Sequence, residues 1–529
     1  MPVAPTYPGI YIEEVPSGVR TITGVPTSIT AFVGSAPRGP VNEPQFITSF
    51  ADYERLFGGL TAVHPMSYSV FQYYQNGGSE AIIVRLVGTG AAAASIELGD
   101  FDLEAKYSGT WGAQLRARVD YDNIPSSDTA SYNLTIRDVA TGEQERYLML
   151  VADPNAPRAH GRMLQSSSLI KPGAVGAVGT RPSAHSTVAP GQDPFSLPNT
   201  GTPPPYAQAT GGNNGAALAN DAPTTAVFSG NENNKTGLYA LLKTDIFNML
   251  VLPPLAVTDG DPTLAPTGVQ SLALTLCLNR RAMLLVDAPN DWDTVDQAVT
   301  GGAAPPVSGD SAKNAALYFP YLRIIDPDPA QGGRLINMPA SGAVAGIYAR
   351  TDVQRGVWKA PAGTDASLNG VPALSLAMTD LENGRLNPLG VNCLRSFPIV
   401  GRVVWGARTL RGADQLASEW KYVPVRRLAL FIEESLYRGT KWVVFEPNDE
   451  PLWAQIRTNV GAFMQNLFRQ GAFQGTSPRD AYFVKCDKDT TTQNHINLGI
   501  VNIHVGFAPL KPAEFVIIKI QQMAGQVEV

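Results

Sequence analysis

In residues 236–405, short runs of branched apolar residues alternate with helix-length segments, and this alternation constrains the fold more than any other part of the sequence. Ile246 to Leu252 and Ala282 to Val286 read as buried strands, while Ala315 to Phe319 and Leu322 to Ile325 are strand-like. Thr236 to Lys243, Pro266 to Asn279 and the small-residue run Pro339 to Asp352, with Ser341 near its start, read as helices. Strands separated by helical crossovers belong to a mostly parallel sheet with both faces covered. Residues 28–95 read as a compact αβ unit. A strand from Ser28 to Val33 ends at Gly34 and the Pro37-Arg38-Gly39-Pro40 turn. Helices follow within Phe46 to Phe57 and Pro65 to Gln75, then a buried strand from Ala81 to Val87.

A chain of 529 residues is too long for one hydrophobic core. Residues 96–152 alternate in strand fashion and read as a small β domain. Residues 153–235 are rich in Pro, Gly, Ala, Ser and Asn with little periodicity, so an irregular or mobile outer insertion is expected there. Residues 406–512 are the most helical. Pro424 opens a helix carrying Leu428, Phe431, Ile432 and Leu436 on one face, and Gly439 stops it. The acidic Asn448-Asp449-Glu450-Pro451 opens a second, with Leu452, Ile456, Val460, Phe463, Met464 and Leu467 on its face. Strands are expected at Ala481 to Val484 and Ile496 to Gly506.

The two ends read as extended arms. Pro2, Pro5 and Pro8 favour an extended path, and Ile10, Tyr11, Ile12 and Val15 form a strand-like run that resumes from Val19 to Ile22. Phe515, Val516, Ile517, Ile518 and Ile520 give the segment from Glu514 to Gln521 strong β propensity with apolar residues on both faces. Such a strand aggregates unless it is paired.

Charged residues are 16% of the chain, below the roughly 25% typical of soluble domains. Surface hidden in an assembly is one reading of this; dilution by the Pro/Gly/Ala-rich segment is the alternative and contributes part of the effect. A net charge of −6 without a basic block argues against nucleic-acid binding. Cys277, Cys393 and Cys486 form neither a disulfide framework nor a zinc spacing. The opening MPVAPTYPGI has no basic or apolar signal region, and no run is long enough to span a bilayer.

Catalytic chemistry finds little support. His160 and His185 fall in the low-complexity segment, His64 precedes a proline, and His495 and His504 flank a strand. Neither a G-x-S-x-G elbow nor a P-loop is present. Asp287, Asp326 and Asp328 follow strands, where α/β enzymes place carboxylates, but the neighbouring Pro289, Pro327 and Pro329 favour turn or cap roles. Cys486 and His495 match no standard metal spacing. Arg426 and Arg427 occupy a helix's first turn, against its dipole, with Glu433, Glu434 and Arg438 following. Two readings stay open for them: a solvated face with internal pairing, or a charged face used on a partner.

Several motifs carry a family resemblance. They are Tyr7-Pro8-Gly9-Ile10-Tyr11-Ile12-Glu13-Glu14, Thr27 to Gly34 with Ala36-Pro37-Arg38-Gly39-Pro40, Trp405-Gly406-Ala407-Arg408-Thr409 and Tyr422-Val423-Pro424-Val425-Arg426-Arg427. Trp442 to Asn448, Gly471 to Gly475, Lys485-Cys486-Asp487 and Gly506 to Phe515 complete the set. With these the sequence resembles contractile tail sheath proteins of myophages and phage-tail-like injection systems. The resemblance implies an α/β and α+β multidomain fold: a central subtilisin-like α/β domain without the protease triad (236–404, with 26–95 as the N-terminal part of the core), and a sheath C-terminal α+β domain (405–512). Around these lie the small β-rich outer domain (96–152), the insertion (153–235) and linker arms at 1–25 and 513–529. It implies a structural subunit rather than an enzyme, with no cofactor, forming a helical homo-oligomer around an inner tube protein and meeting baseplate and terminator or cap proteins. Nucleic-acid contact and membrane insertion are not expected. Arg426, Arg427, Glu433, Glu434 and Arg438 would face the tube. The protein would be made in the bacterial cytoplasm and released, if at all, by lysis. A degenerate α/β hydrolase and a surface or adhesin assembly protein are the competing classes.

Overall fold

The strands that build the main sheet come from segments with an apolar or small residue at nearly every position. The computed structural model describes residues 20–99, 101–175, 180–326, 328 and 332–519. The sheet comprises β1 (Thr30–Gly34), β2 (Gln45–Ile47), β3 (Ala81–Arg85), β4 (Met249–Val251), β5 (Met283–Asp287), β6 (Ala315–Phe319), β7 (Val391–Phe397) and β8 (Gly401–Val404). Its order is β2-β3-β1-β4-β5-β6-β7-β8. The strands from β3 to β7 are parallel, and β2 and β8 close the two edges antiparallel. Side chains alternate across a strand, so Ala31 and Val33 join one core with Leu284, Val286 and Leu317. Phe32 joins the opposite core with Ile83, Leu285 and Tyr318. Arg85, buried at the end of β3, donates to the carbonyls of Ala36, Pro37, Gly39 and Ser108 and fixes the Pro37–Pro40 turn.

Two helices pack together on one face of this sheet: α1 (Met66–Gln75) and α2 (Ser341–Arg355). Residues 341–349 of α2 are all buried. Small residues allow this, because a Cβ at Gly346 would stand 2.4 Å from the Tyr73 carbonyl oxygen and one at Gly342 2.6 Å from that of Ser69. The backbones of α1 and α2 therefore touch where a larger residue would hold them apart.

The composition-based expectation for 153–235 is corrected. Ile170–Val175 pairs with Phe101–Ala105, and Ala207–Gln208 pairs with Leu115–Asp120, so this segment completes both small sheets of the β-rich unit. His185 exchanges two 3.0 Å hydrogen bonds with the Val119 backbone. Arg181 lies over the Tyr121 ring at 3.8 Å. Helix Ala222–Ser229 then buries Phe228 in the core of the main sheet. The segment lacks a core of its own and borrows two others.

The remaining unit holds α3 (Val423–Gly439) and α4 (Glu450–Arg469) with a two-stranded antiparallel sheet, β9 (Tyr482–Lys485) and β10 (His504–Phe507). Ile456, Val460, Phe463, Met464 and Leu467 of α4 share a core with Tyr482, Val484, Val505 and Phe507. The strand expected over Ile496 to Gly506 is only His504–Phe507. Thr492 and His495 form a capping box that turns Gln493–Asn497 into helix.

Gly346→Ala should destabilise the protein by about 1–3 kcal/mol, because the helices cannot separate without opening a core. Gly461→Ala on α4 meets nothing within 4 Å and should stabilise by up to about 1 kcal/mol. Urea midpoints of the two variants against the parent check both signs.

Candidate assembly surfaces

The charged helix is rooted inside the subunit. Arg427 is 4% exposed. It donates to both carboxylate oxygens of Asp352 at 2.7 and 2.6 Å and to the Thr27 carbonyl at 2.8 Å. Arg426 donates to Asn314 Oδ1 at 2.9 Å and Glu433 Oε1 at 3.2 Å. Glu434 accepts from Arg281 and Arg438, and Arg438 also reaches Asp245. The charged face that the sequence offers to a partner is thus reduced. Arg426, Arg427 and Glu434 are buried, because each finds its counterpart within the chain, whereas Glu433 and Arg438 keep side-chain exposures of 43% and 28%.

The two arms differ in what the structure places. Ile10, Tyr11, Ile12, Val15 and Val19 lie outside the described residues, as does Ile520. Ile22 is buried against Gly439 rather than free, and the segment around it runs along α3 and α4. Arg20 N–H donates to Asn459 Oδ1, and Val25 N–H donates to Ser435 Oγ. At the other end Phe515, Val516, Ile517 and Ile518 are 73–82% exposed. Residues 513–519 are coil, and among the described residues none pairs with them in a ladder.

Glu514 directly precedes the exposed apolar run. Its carboxylate accepts from Arg408 Nε and Nη2 at 2.7 Å each, from Asn387 Nδ2 at 3.0 Å and from Tyr422 Oη at 3.1 Å. Burial works to raise its pKa, but the hydrogen bonds from Arg408 and Asn387 outweigh this and hold it below the usual carboxylate range. Sequence reasoning quotes both motifs but assigns no role to Arg408 or Glu514. Their pairing joins positions 106 apart, a separation that no local pattern registers.

β9 and β10 form a sheet of two strands, and among the described residues neither outer edge has a partner strand. Such a pair is marginal alone and depends on α4 beneath it. Phe483 stands half-exposed on its other face.

The residues considered for catalysis take structural roles. Asp287, buried at the end of β5, accepts from Ser341 N–H at 2.9 Å and Ser341 Oγ at 2.6 Å, which caps α2. Burial pushes its pKa up to about 6 against the hydrogen bonds from Ser341 and Ala340. Asp326 accepts from Tyr68 Oη at 2.6 Å and bonds the Asp328 N–H. Ser341 therefore serves a carboxylate and not a histidine. The Ser–His contact that does exist, Ser35 Oγ to His64 Nδ1 at 3.0 Å, involves a ring whose pKa is lowered to about 4 by burial and then by the Arg85 charge. Such an imidazole is a weak base. Among the described residues no His/Cys/Asp/Glu group could hold a metal ion, and no helix is long and apolar enough to cross a membrane.

The described residues form a mixed α/β multidomain fold with an exposed apolar segment at 515–518 and a two-stranded sheet. Residues 229–410 match the phage tail sheath protein central domain and residues 416–523 the phage tail sheath C-terminal domain, together more than half of the chain. A prophage major tail sheath protein of Pseudomonas aeruginosa is 27% identical over 306 residues, 56% of this chain and 72% of that protein. The tail sheath protein of Burkholderia phage BcepMu is 24% identical over 483 residues, 88% and 87% of the two chains. The helical sheath of the anti-feeding prophage in its contracted state, a cryo-EM structure, superposes with a TM-score of 0.57 at 25% identity, covering 98% of this chain and all of that one. The chain belongs to the contractile tail sheath family. It is a structural subunit of a contractile sheath.

Asp287 ionises less readily folded than unfolded, where its pKa is 3.8. Its burial therefore leaves stability untouched below pH 3.8, erodes it as pH rises, and reaches its full effect above about pH 6. Relative to Asp287→Asn, the parent should lose up to roughly 3 kcal/mol between pH 4 and 7.5. Urea unfolding of both proteins at the two pH values measures this.

Proposed function

We propose that the subunit polymerises helically around an inner tube and contracts to drive that tube through a target envelope, with its arms acting as flexible links between copies. The supporting observation is the coexistence of an exposed, unpaired apolar segment at 515–518 and a two-stranded sheet with open edges. Strand addition to an open edge gives affinity through main-chain hydrogen bonds and leaves the rest of each subunit free to rotate. Repetition of one head-to-tail contact generates an open helix rather than a ring. On this reading β9–β10 of one copy receives arm residues of its neighbours, including the N-terminal run Ile10 to Ile12, Val15 and Val19 and the C-terminal run ending at Ile520.

The domain reading follows. A subtilisin-like α/β body moves as a nearly rigid unit, the unit from 405 to 512 lies toward the tube, and the β-rich unit lies outside. Glu433 and Arg438 are the members of the charged helix that offer themselves to the tube. Baseplate and terminator proteins would hold the extended state. That state would be metastable and kinetically trapped, so release of energy stored during assembly needs no nucleotide. Similar chains occur in the baseplate and contracted sheath of the anti-feeding prophage, which supports a baseplate contact here. Assembly inside the producing bacterium and release by lysis complete the reading.

Removal of residues 515–529 retains Glu514 and the Arg408 pairing. The truncated protein should remain folded by circular dichroism yet form no striated cylinders in negative-stain electron microscopy with tube protein, whereas the full chain forms them. Normal cylinders from the truncated protein would refute the arm mechanism.

A further inference from the structure

The motif containing Arg408 and the motif containing Glu514 meet at a site more elaborate than a surface ion pair. The Arg408 side chain is 1% exposed. Besides its two bonds to Glu514, its Nη1 donates to the Asn387 carbonyl at 2.8 Å and to Asp414 Oδ1 at 3.0 Å. Its backbone is held by Asn392, whose Oδ1 accepts from Arg408 N–H and whose Nδ2 donates to Arg408 O and Leu317 O. Asn392 belongs to β7 and Leu317 to β6. The clamp on Glu514 is therefore rooted in the main sheet and not in the β9–β10 hairpin that precedes it in the chain.

The surroundings of the clamp are open on either side along the chain. Residues 510–514 line a cavity of about 680 Å³ together with Trp358, Trp405 and Gln470. Beyond Glu514 the side chains are exposed. The carboxylate is thus the firm attachment between a lightly packed approach and an unpaired tail.

We propose that Glu514 is the fixed point of the C-terminal arm, a positioning residue that fastens the arm to the main sheet and limits the excursion of residues 515–519 beyond it. This rests on the reading of 513–529 as an arm held at its far end by a neighbour. A pull from the neighbour then reaches the α/β body directly through Arg408 and β7. The β9–β10 hairpin, free of that load, can serve as a receiving surface.

The test uses the full-length protein with spin labels at Ile517→Cys and Leu381→Cys, both exposed positions, the native cysteines being buried. Electron–electron dipolar spectroscopy should give a narrow distance distribution for the otherwise unaltered chain. Glu514→Ala and Glu514→Gln should broaden it at least twofold with unchanged circular dichroism. Tyr422→Phe, which removes one hydrogen bond and keeps the ion pair, should broaden it less. Assembly with tube protein is scored in parallel, and the Glu514 variants should yield no ordered cylinders or cylinders with irregular striation. Equal widths in the parent and both Glu514 variants overturn the anchor. Broadening in the variants combined with failure of the parent to assemble leaves the anchor standing and defeats the sheath-arm reading instead.

Discussion

Three parts of the chain converge on one buried cation. Arg427 on α3 grips the carboxylate of Asp352 near the end of α2, the carbonyl of Thr27 in the entering segment and, through its plane, the ring of Tyr348 at 4.8 Å. A bidentate arginine–carboxylate pair fixes direction as well as distance. A buried charge deprived of its partner is among the costliest arrangements a fold can contain. The pair therefore dictates how the C-terminal helices sit on the α/β body and how the N-terminal segment lies along them. It also resolves a conflict visible in the sequence: a positive charge opposing the helix dipole at the first turn of α3 is stabilised by an anion from another helix.

The parts of the fold that could be read from sequence are those in which one segment settles its own environment. Thr30–Gly34, Ala81–Arg85 and Met283–Asp287 are apolar almost throughout, and only a covered sheet accommodates such runs. Ser341–Arg355 carries small residues that declare a buried helix. Legibility fails where the environment comes from elsewhere. The segment 153–235 has no hydrophobic period because it supplies edge strands and backbone contacts to other cores. The charges at 426–438 show that pairing is available but not whether it lies inward or outward. The tail at 515–518 reads as a strand because its side chains suit one, yet strand formation is settled by hydrogen-bond partners that side chains do not encode.

The assembly features share a physical basis. A two-stranded sheet on one helix and an apolar terminal segment are each marginal in an isolated subunit. On the proposed mechanism both gain when neighbouring copies satisfy them, and the free energy of completing the fold becomes the free energy of joining the lattice. Kinetic trapping of an extended lattice fits that mechanism, in which the links would persist while the larger contacts between bodies change.

The edges of the larger sheets carry a consequence for selectivity. β8 closes one side of the main sheet and its outer edge is occupied: Ser367 bridges Val403, Leu368 N–H donates to the Arg402 carbonyl and Val404 N–H to that of Ala366. In the β-rich unit the edge strand Gln144–Val151 has carbonyls at Leu148 and Met149 occupied by Arg158, and Val151 bridges Ala159. Occupied borders make poor templates. On the proposed strand-addition mechanism, a strand from another copy would be turned away at these borders and admitted at the hairpin of β9 and β10. The molecule would then possess a docking address as well as a means of adhesion, and a lattice of many identical chains could grow without cross-linking into a gel.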